Sequence, residues 1–168
     1  MGRERLRTDS TPNLAIHHDV HNLPVRLCSE RERGLMIKLL LVEDNAVDAQ
    51  LTQDLLAEWS LDRFEIAHAS VLADGLTRLS RERFDVVLLD LSLPDTHGLA
   101  TVTQVLATSP DVPVVVLSGH DDHPLALQAL QHGAQDYLVK GEGGTEFLAR
   151  SILYAIERKK AQERLTYF

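Results

Sequence analysis

Two short apolar runs, Leu39–Val42 and Val86–Leu89, constrain this chain more than any other feature, because each stops abruptly at a carboxylate. A strand that is apolar at every position, rather than at every second one, must be buried on both faces. That is the condition of a parallel sheet covered by helices. The runs are also too short to cross a bilayer, which takes about twenty apolar residues.

The rest of the sequence from Met36 onward supplies the matching helices. The first run reads as a strand over Ile37–Val42, followed by a helix from about Ala46 with Val47, Leu51, Leu55 and Trp59 as its apolar stripe. Phe64–Ala69 reads as a second strand, and Ser70 is placed to cap a helix carrying Leu72, Leu76 and Leu79. Asp85–Leu91 is the strongest buried strand. A third helix carries Leu99, Val102, Val105 and Leu106 and stops at Ser109–Pro110. Val112–Leu117 gives a fourth strand. Pro124 and Gly133 bracket a fourth helix, and Asp136–Val139 gives a fifth strand. Thr145 opens a last helix to about Leu165, with Phe147, Leu148, Ile152, Ala155 and Ile156 facing the core. Such alternation predicts an α/β fold with a parallel sheet and helices on both faces. The expected form is a flavodoxin-like (βα)5 doubly wound sheet, for which the strand order is 2-1-3-4-5.

Composition narrows the function. Seventeen Lys and Arg against 25 Asp and Glu leave a net charge of −8, which argues against nucleic acid as a direct partner. A single Cys, Cys28, excludes an internal disulfide and any zinc site built on several thiolates. No segment resembles a signal peptide or a membrane helix, so no membrane association and a cytoplasmic location are expected. Residues 1–35 carry six Arg and five acids, net +1, and show no regular period; they read as a mobile extension. The His17-His18-Asp19…His21 group within them is too weak a pattern to read as a metal site. Residues 36–156 read as the folded domain. Residues 157–168 continue the last helix as a charged segment.

The chemistry collects at the strand ends. Glu43-Asp44 follow the first strand, Asp90 ends the third, Ser118-Gly119 end the fourth, and Lys140 follows the fifth. Ligands of open parallel sheets bind beyond the carboxyl ends of the strands where their order reverses. Strands spaced by about 4.8 Å put Glu43-Asp44 and Ser118 on either side of Asp90. Lys140, about 10 Å off, reaches Asp90 or a group attached to it through its long stem. Three carboxylates so close need cationic compensation. Lys140 supplies one charge. A hard divalent ion, Mg2+ rather than zinc, suits an all-oxygen site. A carboxylate beside Mg2+ and an ammonium is an activated nucleophile for phosphoryl transfer. Ser118 can donate to a phosphoryl oxygen there.

Taken together, LLLVEDN (Leu39–Asn45), DVVLLDLSLPDTHG (Asp85–Gly98), VVVLSG (Val114–Gly119) and GAQDYLVK (Gly133–Lys140) resemble the receiver domain of bacterial two-component response regulators. The resemblance implies that Asp90 is the phosphoacceptor. It implies that Glu43, Asp44, Asp90 and the backbone carbonyl of Ser92 hold Mg2+, with Lys140 paired to the phosphoryl group. Ser118 and Tyr137 are then the switch residues. The implied donor is a phosphohistidine on a sensor histidine kinase or a histidine phosphotransfer protein. Signalling would pass through the face of the fourth helix, fifth strand and fifth helix, by a homodimer or to an output domain or effector protein. Residues 157–168 would be the linker to such an output. One departure is visible: Gly141 stands where many members have Pro, so the following loop is expected to be shaped differently.

Three other readings compete. A haloacid-dehalogenase-type phosphatase expects a second Asp two residues after the nucleophile, where this chain has Ser92. A nucleotide or flavin binder expects a glycine-rich loop after the first strand, which is missing. A receiver working by phosphorylation-independent protein contacts would not need so complete a site. His120 and His123, in the loop after the fourth strand, read as solvent-facing.

Overall fold

Each apolar run becomes a central strand, and the alternation of its side chains divides the core in two. A computed structural model describes residues 36–60 and 63–167. Its main sheet has strands β1 (Ile37–Val42), β2 (Phe64–Ala69), β3 (Val86–Asp90), β4 (Val114–Ser118) and β5 (Asp136–Val139). All neighbours are parallel, in the order β2-β1-β3-β4-β5. The helices are α1 (Ala46–Trp59), α2 (Leu72–Arg81), α3 (Leu99–Thr108), α4 (His123–Gln131) and α5 (Gly144–Thr166). The predicted fold class therefore stands. The extension over residues 1–35, with its histidines and Cys28, lies outside the described residues.

Successive residues of a strand point to opposite faces. Leu40, Val42, Val87, Leu89, Val114 and Val116 pack with α2, α3 and α4 on one face. Leu39, Leu41, Val86, Leu88, Val115 and Leu117 pack with α1 and α5 on the other. Burying a Leu or Val in full contributes roughly 1.5–3 kcal/mol, so these twelve side chains are a dominant favourable term.

Three local expectations need correction. The stripe Val47, Leu51, Leu55, Trp59 does not face the core as a whole: Val47 is 75% exposed and Leu51 48%. At about 3.6 residues per turn, a spacing of four drifts by about 40° per step, so only the end of the stripe reaches the sheet. The buried residues of α1 are Ala49 and Leu56. Phe147, placed on the core stripe of α5, is half exposed, while Leu148, Ile152, Ala155 and Ile156 are buried as expected. Ser70 does not cap α2. The N-cap position is Val71, which offers no side-chain oxygen. Asp95, from the loop after β3, accepts from Leu72 N and Ala73 N at 2.9 Å each. Those backbone hydrogen bonds hold its carboxyl below the ordinary Asp value.

The loop after β3 also holds a two-residue antiparallel ladder, Ser92–Leu93 with Thr96–His97, that the periodicity did not reveal. Its tight Pro94-Asp95 turn places Asp95 at the start of α2. On the far side, α5 runs unbroken from Gly144 to Thr166, about 34 Å at 1.5 Å per residue.

Candidate phosphoacceptor site

The site follows from the register of the central strands. Val42 lies beside Leu89, so Glu43 emerges level with Asp90. Asp90 lies beside Leu117, so Ser118 stands one residue further along. Ser118 lies beside Val139, which sets Lys140 one step further again, with its N donating to Ser118 O at 2.7 Å. The predicted group is therefore assembled by three consecutive strand pairings at one edge of the sheet.

Glu43 and Asp90 are almost wholly buried, at 1% and 6% exposure, whereas Asp44 is exposed. Oxygens of Glu43, Asp44 and Asp90 all lie within 4.8 Å of one another. The set is oxygen-only and carboxylate-rich, which fits a small hard cation. Asn45 begins the adjacent helix: its Oδ1 accepts from Val47 N and Asp48 N, and its own N donates to Glu43 Oε1 at 3.0 Å. The first turn of α1 thus fixes the Glu43 carboxylate. On the outer side of β1, His68 Nε2 lies 2.7 Å from the Glu43 carbonyl oxygen.

Lys140 reaches the carboxylates as its stem length suggested, and it reaches more of them than the sequence indicated. Its ammonium lies 2.5 Å from Glu43 Oε2, 2.8 Å from Asp90 Oδ2 and 3.1 Å from Asp48 Oδ2. Burial works to lower the pKa of this ammonium. The hydrogen bonds to Asp90, Glu43 and Asp48 outweigh it and push the pKa above the ordinary lysine value. Burial raises the pKa of Glu43, and the Lys140 contact pulls it back only in part. Asp48 was not singled out from the sequence. An acid in the first turn of a helix is so common beside the helix dipole that its position carries no distinguishing signal.

Ser92 is exposed, and its N donates to Asp90 Oδ1 at 2.9 Å, which orients the Asp90 carboxylate. Ser118 is buried, and its Oγ accepts from His120 N at 3.2 Å. Tyr137 is half-buried against the α2–α4 side of the core, and its hydroxyl donates to the His120 carbonyl oxygen at 3.0 Å. His120 thus joins Ser118 to Tyr137 through its backbone, a role hidden from any reading of side-chain types.

Beside Lys140 the start of α5 and helix α1 enclose a groove of about 210 Å³, with Leu51, Leu55 and Phe147 among its walls. The loop leading to α5 takes left-handed backbone at Gly141 (φ 80°) and Gly143 (φ 77°). At Gly143 a β-carbon would also strike the Phe147 ring, with Cγ only 2.5 Å away.

A five-stranded doubly wound sheet with an acidic pair, an Asp, a hydroxyl and a Lys at its carboxyl edge defines a class of phosphorylation-controlled signalling domains. The comparisons agree. The response regulator receiver domain model matches residues 39–151, and the chain belongs to that family. It is 37% identical over 100 residues to regulatory protein LuxO of Vibrio cholerae, covering 60% of this chain and 21% of LuxO. It is 33% identical over 125 residues to swarming motility regulation protein RssB of Serratia marcescens, covering 74% of this chain and 55% of RssB. These curated relatives are much longer than the segment they share with it. Among solved structures, a response regulator receiver domain protein from Clostridium thermocellum superposes with TM-score 0.64 at 28% identity, covering 76% of this chain and 99% of that one. Such receiver domains belong to two-component systems and often adjoin output domains. The phosphatase and nucleotide-binder readings are not favoured. No helix among the described residues is long and apolar enough to cross a membrane.

Proposed function

We propose that the chain receives a phosphoryl group on Asp90 and converts it into a change at the α4–β5–α5 face. The observation that carries this reading is the convergence of Lys140, Glu43 and Asp90 within hydrogen-bond distance at the strand edge. In the transfer, an Asp90 carboxylate oxygen attacks the phosphorus of a phosphohistidine on a sensor histidine kinase or histidine phosphotransfer protein. A P–O bond forms, the P–N bond breaks, and the imidazole leaves with the electron pair and takes up a proton. Ser92 N holds the Asp90 carboxylate in orientation.

Glu43, Asp44, Asp90 and the Ser92 backbone carbonyl would hold Mg2+, which, when bound, neutralises charge on the transferring group. Lys140 and the Ser118 hydroxyl then bind the phosphoryl oxygens. The phosphoryl group carries about −2 in place of the carboxylate's −1, a gain of about one negative charge together with three acceptor oxygens, and these draw both inward. Movement of Ser118 removes the acceptor of His120 N and, through His120, alters the hold on Tyr137. This chain of contacts links Asp90 to the signalling face, where a homodimer partner, output domain or effector protein would bind. Residues 157–168, of which 157–166 lie in α5, would serve as the linker to an output, and the domain would act in the cytoplasm.

The test is intact mass after incubation with acetyl phosphate and Mg2+. Wild type should gain one phosphoryl group that is labile in base. Asp90→Asn, or wild type with a chelator, should gain none. A wild-type chain that stays unmodified under these conditions would favour the phosphorylation-independent interaction role instead.

A further inference from the structure

Lys140 and a divalent cation compete for the same two carboxylates, Glu43 and Asp90. Glu43 Oε2 and Asp90 Oδ2 lie 2.5 Å and 2.8 Å from the Lys140 ammonium, and both carboxylates belong to the cluster that fits a cation. Two cations cannot share that position without strong repulsion. The ammonium therefore needs somewhere to go when a cation enters. Asp48 offers that place. It lies outside the cluster, yet its Oδ2 is 3.1 Å from the same ammonium. Its position is set by the first turn of α1, where its N donates to Asn45 Oδ1. Asp48 and Lys140 both border the groove between α1 and α5, so the stem of Lys140 has room to swing.

We infer that Asp48 is a positioning residue, the second seat of Lys140, which takes the ammonium when a divalent cation claims Glu43 and so sets how tightly that cation binds. The inference rests on reading Glu43, Asp44 and Asp90 as the cation site. Asp48 keeps the ammonium beside Asp90 but out of the cation's place. From there it can turn to an incoming phosphoryl oxygen.

Isothermal titration of the full chain with MgCl2 tests this by a double-mutant cycle. With Lys140 present, Asp48→Asn should weaken Mg2+ binding about fivefold: the Lys140–Asp48 hydrogen bond, one of three anchors of the ammonium in the free protein, becomes a main one once the cation claims Glu43, and so counts for more in the bound state. In the Lys140→Met background the same change should cost no more than about twofold, the remaining effect of one negative charge nearby. Equal losses in both backgrounds would overturn the inference and reduce Asp48 to a source of negative potential. A wild-type chain that takes up no Mg2+ would overturn the cation-site reading itself, and the inference with it. If Lys140→Met does not fold, the nitrogen resonance of the Lys140 side chain decides. It should shift on adding MgCl2 to wild type, and shift differently in Asp48→Asn. An identical shift in both proteins would again overturn the inference.

Discussion

The two sides of the Asp90 site are held in very different ways. On the α1 side, Lys140 is bound by three carboxylates, and Glu43 is buried, hydrogen-bonded by Asn45 N and capped into the start of a helix. On the α4 side, Ser118 and Tyr137 are joined through the backbone of His120 by one hydrogen bond each, at 3.2 Å and 3.0 Å. On the proposed function, a phosphoryl group on Asp90 would meet a densely paired half, in which only the Lys140 side chain need turn, and a lightly tied half that would give way. The first would bind the input and the second would report it.

The comparison breaks hardest at Lys140. Lys140→Met leaves the buried Glu43 and Asp90 carboxylates without their shared partner. Losing one member of a buried charge network costs about 3 kcal/mol or more, and denaturant unfolding at neutral pH should show it. MgCl2 should restore much of the loss, because a cation replaces the missing charge.

Asp95→Ala tests whether the densely paired half extends to α2. Removing a carboxylate that caps two backbone N–H groups should cost about 1 kcal/mol, or roughly 3 °C in thermal midpoint. The sign with pH follows from the lowered pKa of Asp95. Its contribution is present in full above the unfolded Asp value of about 3.9 and is lost as pH falls through the lower folded value. Wild type and Asp95→Ala should therefore differ at pH 7 and converge in strong acid. A gap that persists in acid would contradict an electrostatic cap.

Tyr137→Phe should have the smallest effect on stability, about 0.5–1 kcal/mol for one lost neutral hydrogen bond. Phosphoryl uptake at Asp90 should be unchanged. Amide exchange in the loop around His120 should quicken, whereas exchange in the first turn of α1 should not. Equal quickening in both places would erase the distinction between the two halves.

Much of this was legible in the sequence because the strands are extreme. Runs such as Leu39–Val42 admit one environment, and the carboxylates that end them mark the sheet edge. Register then had to bring Glu43, Asp90, Ser118 and Lys140 together. Helix faces were less legible where the spacing is exactly four: Val47 and Leu51 sit on a stripe that winds away from the core. Contacts made by backbone atoms or by common residue types were not legible at all. His120 reads as a solvent-facing loop side chain, and Asp95 and Asp48, a residue after a proline and an acid near a helix start, carry no signal that singles them out. Each acquires its role only from what the fold sets opposite it.

The central claim is that Asp90 is the residue that takes the phosphoryl group, and chemical trapping tests it most directly. After phosphorylation with acetyl phosphate and Mg2+, borohydride reduction converts an acyl phosphate on aspartate to homoserine. Peptide mass mapping should then find homoserine at position 90 and unaltered Asp at positions 44 and 48. Homoserine at Asp44 or Asp48, with Asp90 intact, would contradict the account.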